Sequence, residues 1–107
     1  MNVLKDSELQ DERQEIIEKL SSFFKILSEP TRLKIIMYIL EKPKCIVNDI
    51  VNALEIAQPI VSHHLHVMEN FNLIIMKREG RIKKCCIKDP EKIRQILRIS
   101  KNIVNRD

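Results

Sequence analysis

The segment Gln58 to Asn70, Gln-Pro-Ile-Val-Ser-His-His-Leu-His-Val-Met-Glu-Asn, constrains this chain more than any other. At about 100° per residue, helical spacing puts Ile60, Val61, His64, Leu65, Val67 and Met68 on one side. Gln58, Ser62, His63, His66, Glu69 and Asn70 fall on the other. One side needs a core to cover it, and the other faces outward. The outward side carries no Lys or Arg, only small polar groups, imidazoles and one acid. Such side chains reach hydrogen-bonding edges in a groove without simply sticking to phosphate. Pro59 fits the first turn of the helix.

The flanking elements follow from periodicity. Asp6 to Leu27 repeats apolar residues at helical spacing through Leu9, Ile16, Ile17, Leu20, Phe23, Phe24 and Leu27. Ser28-Glu29-Pro30-Thr31 breaks that helix and starts the next. Thr31 to Glu41 is apolar on most sides, which predicts a central buried helix. Cys45-Ile46-Val47 is a short β-prone run, and Asn48 is expected to cap a third helix, Asp49 to Leu54. Leu73 to Arg78 and Arg81 to Ile87 form a hairpin across Glu79-Gly80, the only glycine in the chain. A last helix runs from about Pro90 to Val104.

The order is α-α-β-α-α-β-β-α, mainly helical with a small β-hairpin. The third and fourth helices, joined by a three-residue turn, read as a helix-turn-helix, with the hairpin as a wing behind them. One winged-helix domain over residues 1–107 suits the length. The first helix (6–27) and the last (90–104) keep apolar faces without a partner in the domain. They are expected to pair with a second copy, through Leu20 and Phe24 on one and Ile93, Ile96 and Leu97 on the other.

Charge is distributed unevenly. Residues 1–29 hold four basic and seven acidic groups, whereas residues 77–101 hold ten basic and three acidic. The basic block falls on the hairpin and the last helix, and a polyanion is its natural partner. A neutral reading face beside a basic clamp suits a helix that enters the major groove of double-stranded DNA. A Lys-rich surface that is merely solvated is the competing reading. A membrane span and a signal peptide are both missing from the sequence, so a cytoplasmic location without membrane attachment is expected. Enzyme chemistry is poorly supported, because no Gly-rich phosphate loop, nucleophile elbow or paired-carboxylate motif occurs.

Three blocks carry a family resemblance: Leu27-Ser-Glu-Pro-Thr-Arg-Leu-Lys-Ile-Ile36, Gln58-Pro-Ile-Val-Ser-His-His-Leu-His-Val-Met68 and Arg78-Glu-Gly-Arg81. In this order and spacing the chain resembles the ArsR/SmtB winged-helix transcriptional repressors over about residues 20–88. The resemblance implies a homodimer that binds an imperfect operator palindrome and leaves it on an inducing signal. It places Gln58, Ile60, Ser62 and His63 where the recognition helix meets bases and phosphates, and Arg78, Arg81 and Lys83 in the wing. Ala57 departs from it, since a Ser usually caps the recognition helix there. The family's metal sites are not reproduced. Ile46 and Asn48 stand where a third-helix site needs thiolates, and the last helix has no His. Neither a metal nor a cofactor is therefore expected. A sequence-tolerant architectural DNA-binding protein is the alternative function.

Cys45, Cys85 and Cys86 are the remaining chemical candidates. Pairing of the short strand with the second wing strand brings Cys45 near one of the other two, because adjacent strand residues face opposite ways. Lys83, Lys84 and Lys88 are expected to favour the thiolate. A redox disulfide, a persulfide or electrophile sensor, and a soft thiophilic ion site are all open. All three would make the cysteines the target of a thiol-directed inducer. The plain reading is that the thiols fill space in the sheet. His63 and His66 stand at i, i+3 and point toward DNA rather than a metal, for want of a third ligand. His64 is expected in the core, hydrogen-bonded to backbone.

Overall fold

A computed structural model describes residues 6–105. Its elements are α1 (Asp6–Leu27), α2 (Pro30–Glu41), α3 (Val47–Leu54), α4 (Gln58–Asn70), β1 (Ile74–Glu79), β2 (Ile82–Ile87) and α5 (Pro90–Val104). Five helices and an antiparallel hairpin form the winged helix-turn-helix expected from the pattern.

Local chemistry sets the boundaries. The Glu29 carboxylate accepts the Arg32 N–H at 2.9 Å, and Pro30 opens α2. At α3 the cap position is Ile46, not Asn48, which sits inside the first turn. Asp49 reaches back instead and accepts the Ile46 N–H at 3.0 Å. Glu55 adopts φ 54° to end α3, and Ala57 starts α4 without a side-chain cap. Pro59 removes one of the donors that would need capping there. Asp89 caps α5 by accepting the Lys92 N–H at 3.4 Å.

In the hairpin Glu79 lies opposite Ile82, so the turn is Gly80-Arg81 rather than Glu79-Gly80. Gly80 takes φ +63°, which a side chain would resist. This one-residue correction puts Arg81 at the tip. The short strand before α3 shrinks to one bridge, Ile46 opposite Lys84, with the Cys85 N–H donating to the Cys45 carbonyl at 3.0 Å.

The core is built around α2. Ile35, Ile36 and Ile39 meet Ile50 from α3, Val61, Leu65 and Met68 from α4, and Ile74 and Cys85 from the hairpin. All are essentially inaccessible to water. Burial of such side chains is worth roughly 1.5–3 kcal/mol each, so this cluster fixes where α4 lies. Ile60 is an exception to the helical wheel, being half exposed. On the outer helices Ile16, Ile17, Leu20 and Phe24 of α1 stay exposed, as do Ile99, Ile103 and Val104 of α5. Ile93 belongs to the buried core, and Ile96 and Leu97 pack against that core. The exposed stripe of α5 therefore lies further along the helix than Ile93, Ile96 and Leu97.

Candidate nucleic-acid interface

A cleft runs between α4 and the wing. Gln58, Ser62 and His66 line it from the helix, and Arg78, Arg81 and Lys83 from the hairpin. Most of the residues singled out from sequence thus meet in one place. Ile60 and His63 do not line the cleft, but both are exposed on the same helix beside it. Asn48 was not anticipated here. It reaches the cleft from the first turn of α3, adding an amide able to donate and accept. Its sequence signal was a polar residue at the head of the helix-turn-helix, which reads equally well as a cap.

The helix side is close to neutral. The Gln58 amide donates to the Ser62 hydroxyl at 3.4 Å, so two groups able to read base edges are held together. His66 Nδ1 lies 3.5 Å from the Glu69 carboxylate. The wing side is cationic. Arg78 sits directly across the ladder from Lys83, and Lys77 across from Lys84. Like charges in that relation destabilise a hairpin. Glu79 relieves one rung by pairing with Lys84 at 2.9 Å, and Lys84 holds the Glu79 carboxyl below its usual range. Among the described residues no acid pairs with Arg78, Arg81 or Lys83.

The thiols differ from expectation. Cys45 and Cys85 are buried, and burial pushes their pKa values up to about 11 and about 12. Lys83 pulls the Cys85 value down, but burial outweighs it, so neither buried thiol is held as a thiolate. Cys86 is half-buried on the opposite face and donates weakly to the Pro43 carbonyl at 3.6 Å. Among the described residues no three His, Cys, Asp or Glu side chains are grouped to hold a metal ion. His64 also departs from expectation. Its partners are side chains, with Nδ1 3.2 Å from the Arg32 guanidinium and Nε2 3.8 Å from Glu29.

Helix-turn-helix, wing and cleft together define a winged helix-turn-helix fold with a cationic hairpin beside a near-neutral helix face. Residues 29–75 match the family model described as bacterial regulatory protein, arsR family. An uncharacterized HTH-type transcriptional regulator of Methanocaldococcus jannaschii is 29% identical over 82 residues, spanning 77% of this chain and 91% of that protein. The HTH-type transcriptional repressor SmtB of Mycobacterium tuberculosis is 31% identical over 67 residues, 63% of this chain but only 49% of the relative. The chain therefore spans about half the length of that repressor. A homodimeric winged helix-turn-helix DNA-binding domain from Mycobacterium bovis superposes with a TM-score of 0.73 over 100% of this chain and 97% of that one, at 16% identity. Over its helix-turn-helix the chain is thus similar to the arsR family of bacterial regulatory proteins. Among the described residues no helix is long and apolar enough to cross a membrane.

Proposed function

We propose that this chain is an operator-specific repressor that binds an imperfect palindrome as a homodimer. The observation that carries the reading is the composition of the cleft. Its helix side offers neutral groups suited to base edges, and its wing offers cations that no acid among the described residues neutralises. Phosphate is the partner that would relieve the Arg78–Lys83 rung. Two such clefts related by a two-fold axis match two half-sites of a palindrome. The exposed apolar residues of α1 and α5 supply the surface for that pairing, with Leu20 and Phe24 on α1 and Ile99 and Ile103 on α5. The dimeric Mycobacterium bovis domain shares this fold, which supports the same assembly here.

Footprinting on DNA selected by the chain from a random pool tests the proposal. A repressor protects a short palindrome at salt concentrations where bulk DNA is released. Uniform protection along any duplex would instead indicate a sequence-tolerant architectural protein. Sedimentation should show a dimer at micromolar concentration, and a stable folded monomer there would remove the symmetric part of the reading.

A further inference from the structure

Behind the reading face lies a polar junction that a DNA contact does not require. Arg32 stands near the start of α2 and reaches in two directions. Its Nε donates to the Ile26 carbonyl at 2.7 Å, in the last turn of α1. Its Nη1 lies 3.2 Å from Nδ1 of His64, on the core side of α4. The Ile26 carbonyl is one of those a helix end leaves without an intrahelical donor. The guanidinium is therefore a rigid fork between the outer helix and the recognition helix. Glu29 completes the junction. Its carboxylate caps α2 through the Arg32 N–H at 2.9 Å and faces His64 Nε2 at 3.8 Å.

These contacts fix the tautomer of His64. A guanidinium only donates, so Nδ1 must accept and the ring proton sits on Nε2, toward the carboxylate. The side chain of His64 is only 13% exposed, so water does little to replace these partners.

We infer that His64 is a positioning residue for DNA reading, through which Arg32 holds α4 in a fixed relation to α1. This rests on the reading of α4 and of the α1 pairing surface proposed above. Residues Val61, Leu65 and Met68 fix the depth of α4 in the core but are apolar and non-directional. Arg32 and His64 add a directional tie. A palindrome demands a set spacing between two recognition helices, so a slack tie costs selective binding more than general binding.

Protonation should act on the same tie. A second ring proton at Nδ1 would point at the Arg32 guanidinium and break the bond. The charged groups facing the ring are Glu29 and Arg32 from the head of α2 and His63 from α4. Burial holds His64 below its usual value, Glu29 pulls it up, and Arg32 and His63 push it down. The folded state thus prefers the neutral ring. Its contribution is intact above the ordinary histidine value of 6.5 and is lost as pH falls through the lower folded value.

The experiment uses the full chain, a duplex enriched from a random pool by wild type, and a scrambled duplex of equal length. The readout is the ratio of the two affinities. His64→Ala and Arg32→Ala should each lower the ratio about tenfold, the scale of one charged hydrogen bond, while affinity for the scrambled duplex is kept. The double variant should fall no further than either single one. His64→Gln, whose amide can accept from Arg32 and donate to Glu29, should restore most of the ratio. It should also remove the part of the acid-side decline that wild type shows as pH falls from the ordinary histidine value of 6.5 through the depressed one. Positions 63 and 66 are unchanged between the two proteins and cancel in the comparison. If His64→Ala unfolds, Arg32→Lys serves, because an ammonium cannot hold the two acceptors in the fork's geometry. A ratio unchanged in the Ala or Lys variants, or additive losses in the double variant, overturns the inference alone. Failure of wild type to enrich any sequence overturns both this inference and the reading of α4 beneath it.

Discussion

The recognition helix and the wing face each other across one cleft, yet they are made on opposite principles. Helix α4 is pinned from behind by Val61, Leu65 and Met68 and turns a nearly neutral face forward. The wing is pinned at its root by Ile74, Cys85 and Ile87 and carries rungs of like charge toward its tip. A helix set by a core can present weak, directional groups accurately. A hairpin with unrelieved repulsion is instead poised for an anion, whatever base sequence accompanies it. On the proposed function, reading and gripping would thus be separated into different elements, and variants can address each one.

The largest effect should come from the anchor of the helix. Leu65→Ala removes a fully buried side chain and should cost about 2–5 kcal/mol of stability, read from urea or thermal unfolding. Operator binding should be lost with it. Next come the reading groups. Ser62→Ala or Gln58→Ala should reduce preference for the operator by about 1–3 kcal/mol with little change on random DNA, measured by competition binding. His63→Ala, beside the cleft rather than in it, should act in the same direction more weakly. On the wing, Arg78→Ala or Arg81→Ala should weaken both kinds of binding together and reduce the salt slope by about one for each phosphate no longer neutralised. Equal loss of selectivity in the helix and wing variants would dissolve the contrast. Glu79→Gln should steepen the salt dependence, because it frees Lys84 to act on DNA. The smallest effect concerns the thiols. Alkylation followed by mass spectrometry should mark Cys86 first, and Cys45 and Cys85 only when the protein unfolds. DNA binding should scarcely respond to labelling at Cys86.

Most of this architecture was legible because its signals are periodic. The apolar repeats of α1, α2, α4 and α5 set their lengths, and the helical wheel of α4 picked out six outward residues, three of which line the cleft. The hairpin was harder. Lys83-Lys84 and Cys85-Cys86 repeat one residue type at adjacent positions, so alternation gives no register. The turn accordingly shifted by one residue, to Gly80-Arg81. Burial of Cys85 and the pKa it produces depend on the tertiary surroundings, which neighbouring lysines in sequence do not reveal. The Arg32–His64 contact spans 32 positions and leaves no periodic trace. Ile93 shows a different ambiguity. An apolar stripe reads alike whether it meets its own core or a second copy, and here Ile93 meets its own core.

The small bridge between Ile46 and Lys84 has a mechanical consequence. It stitches the root of the wing to the peptide that leads into α3, through the Cys85 N–H and the Cys45 carbonyl. The wing is therefore braced on one side by its own hairpin and on the other by the helix-turn-helix. A hinge at its base would first have to break that stitch. A crosslink between Cys45 and Cys85 would reinforce a joint that is already closed, like a second nail in a fixed board. In the proposed dimer the freedom worth controlling would lie elsewhere, in how one whole braced unit is carried relative to its copy by α1 and α5.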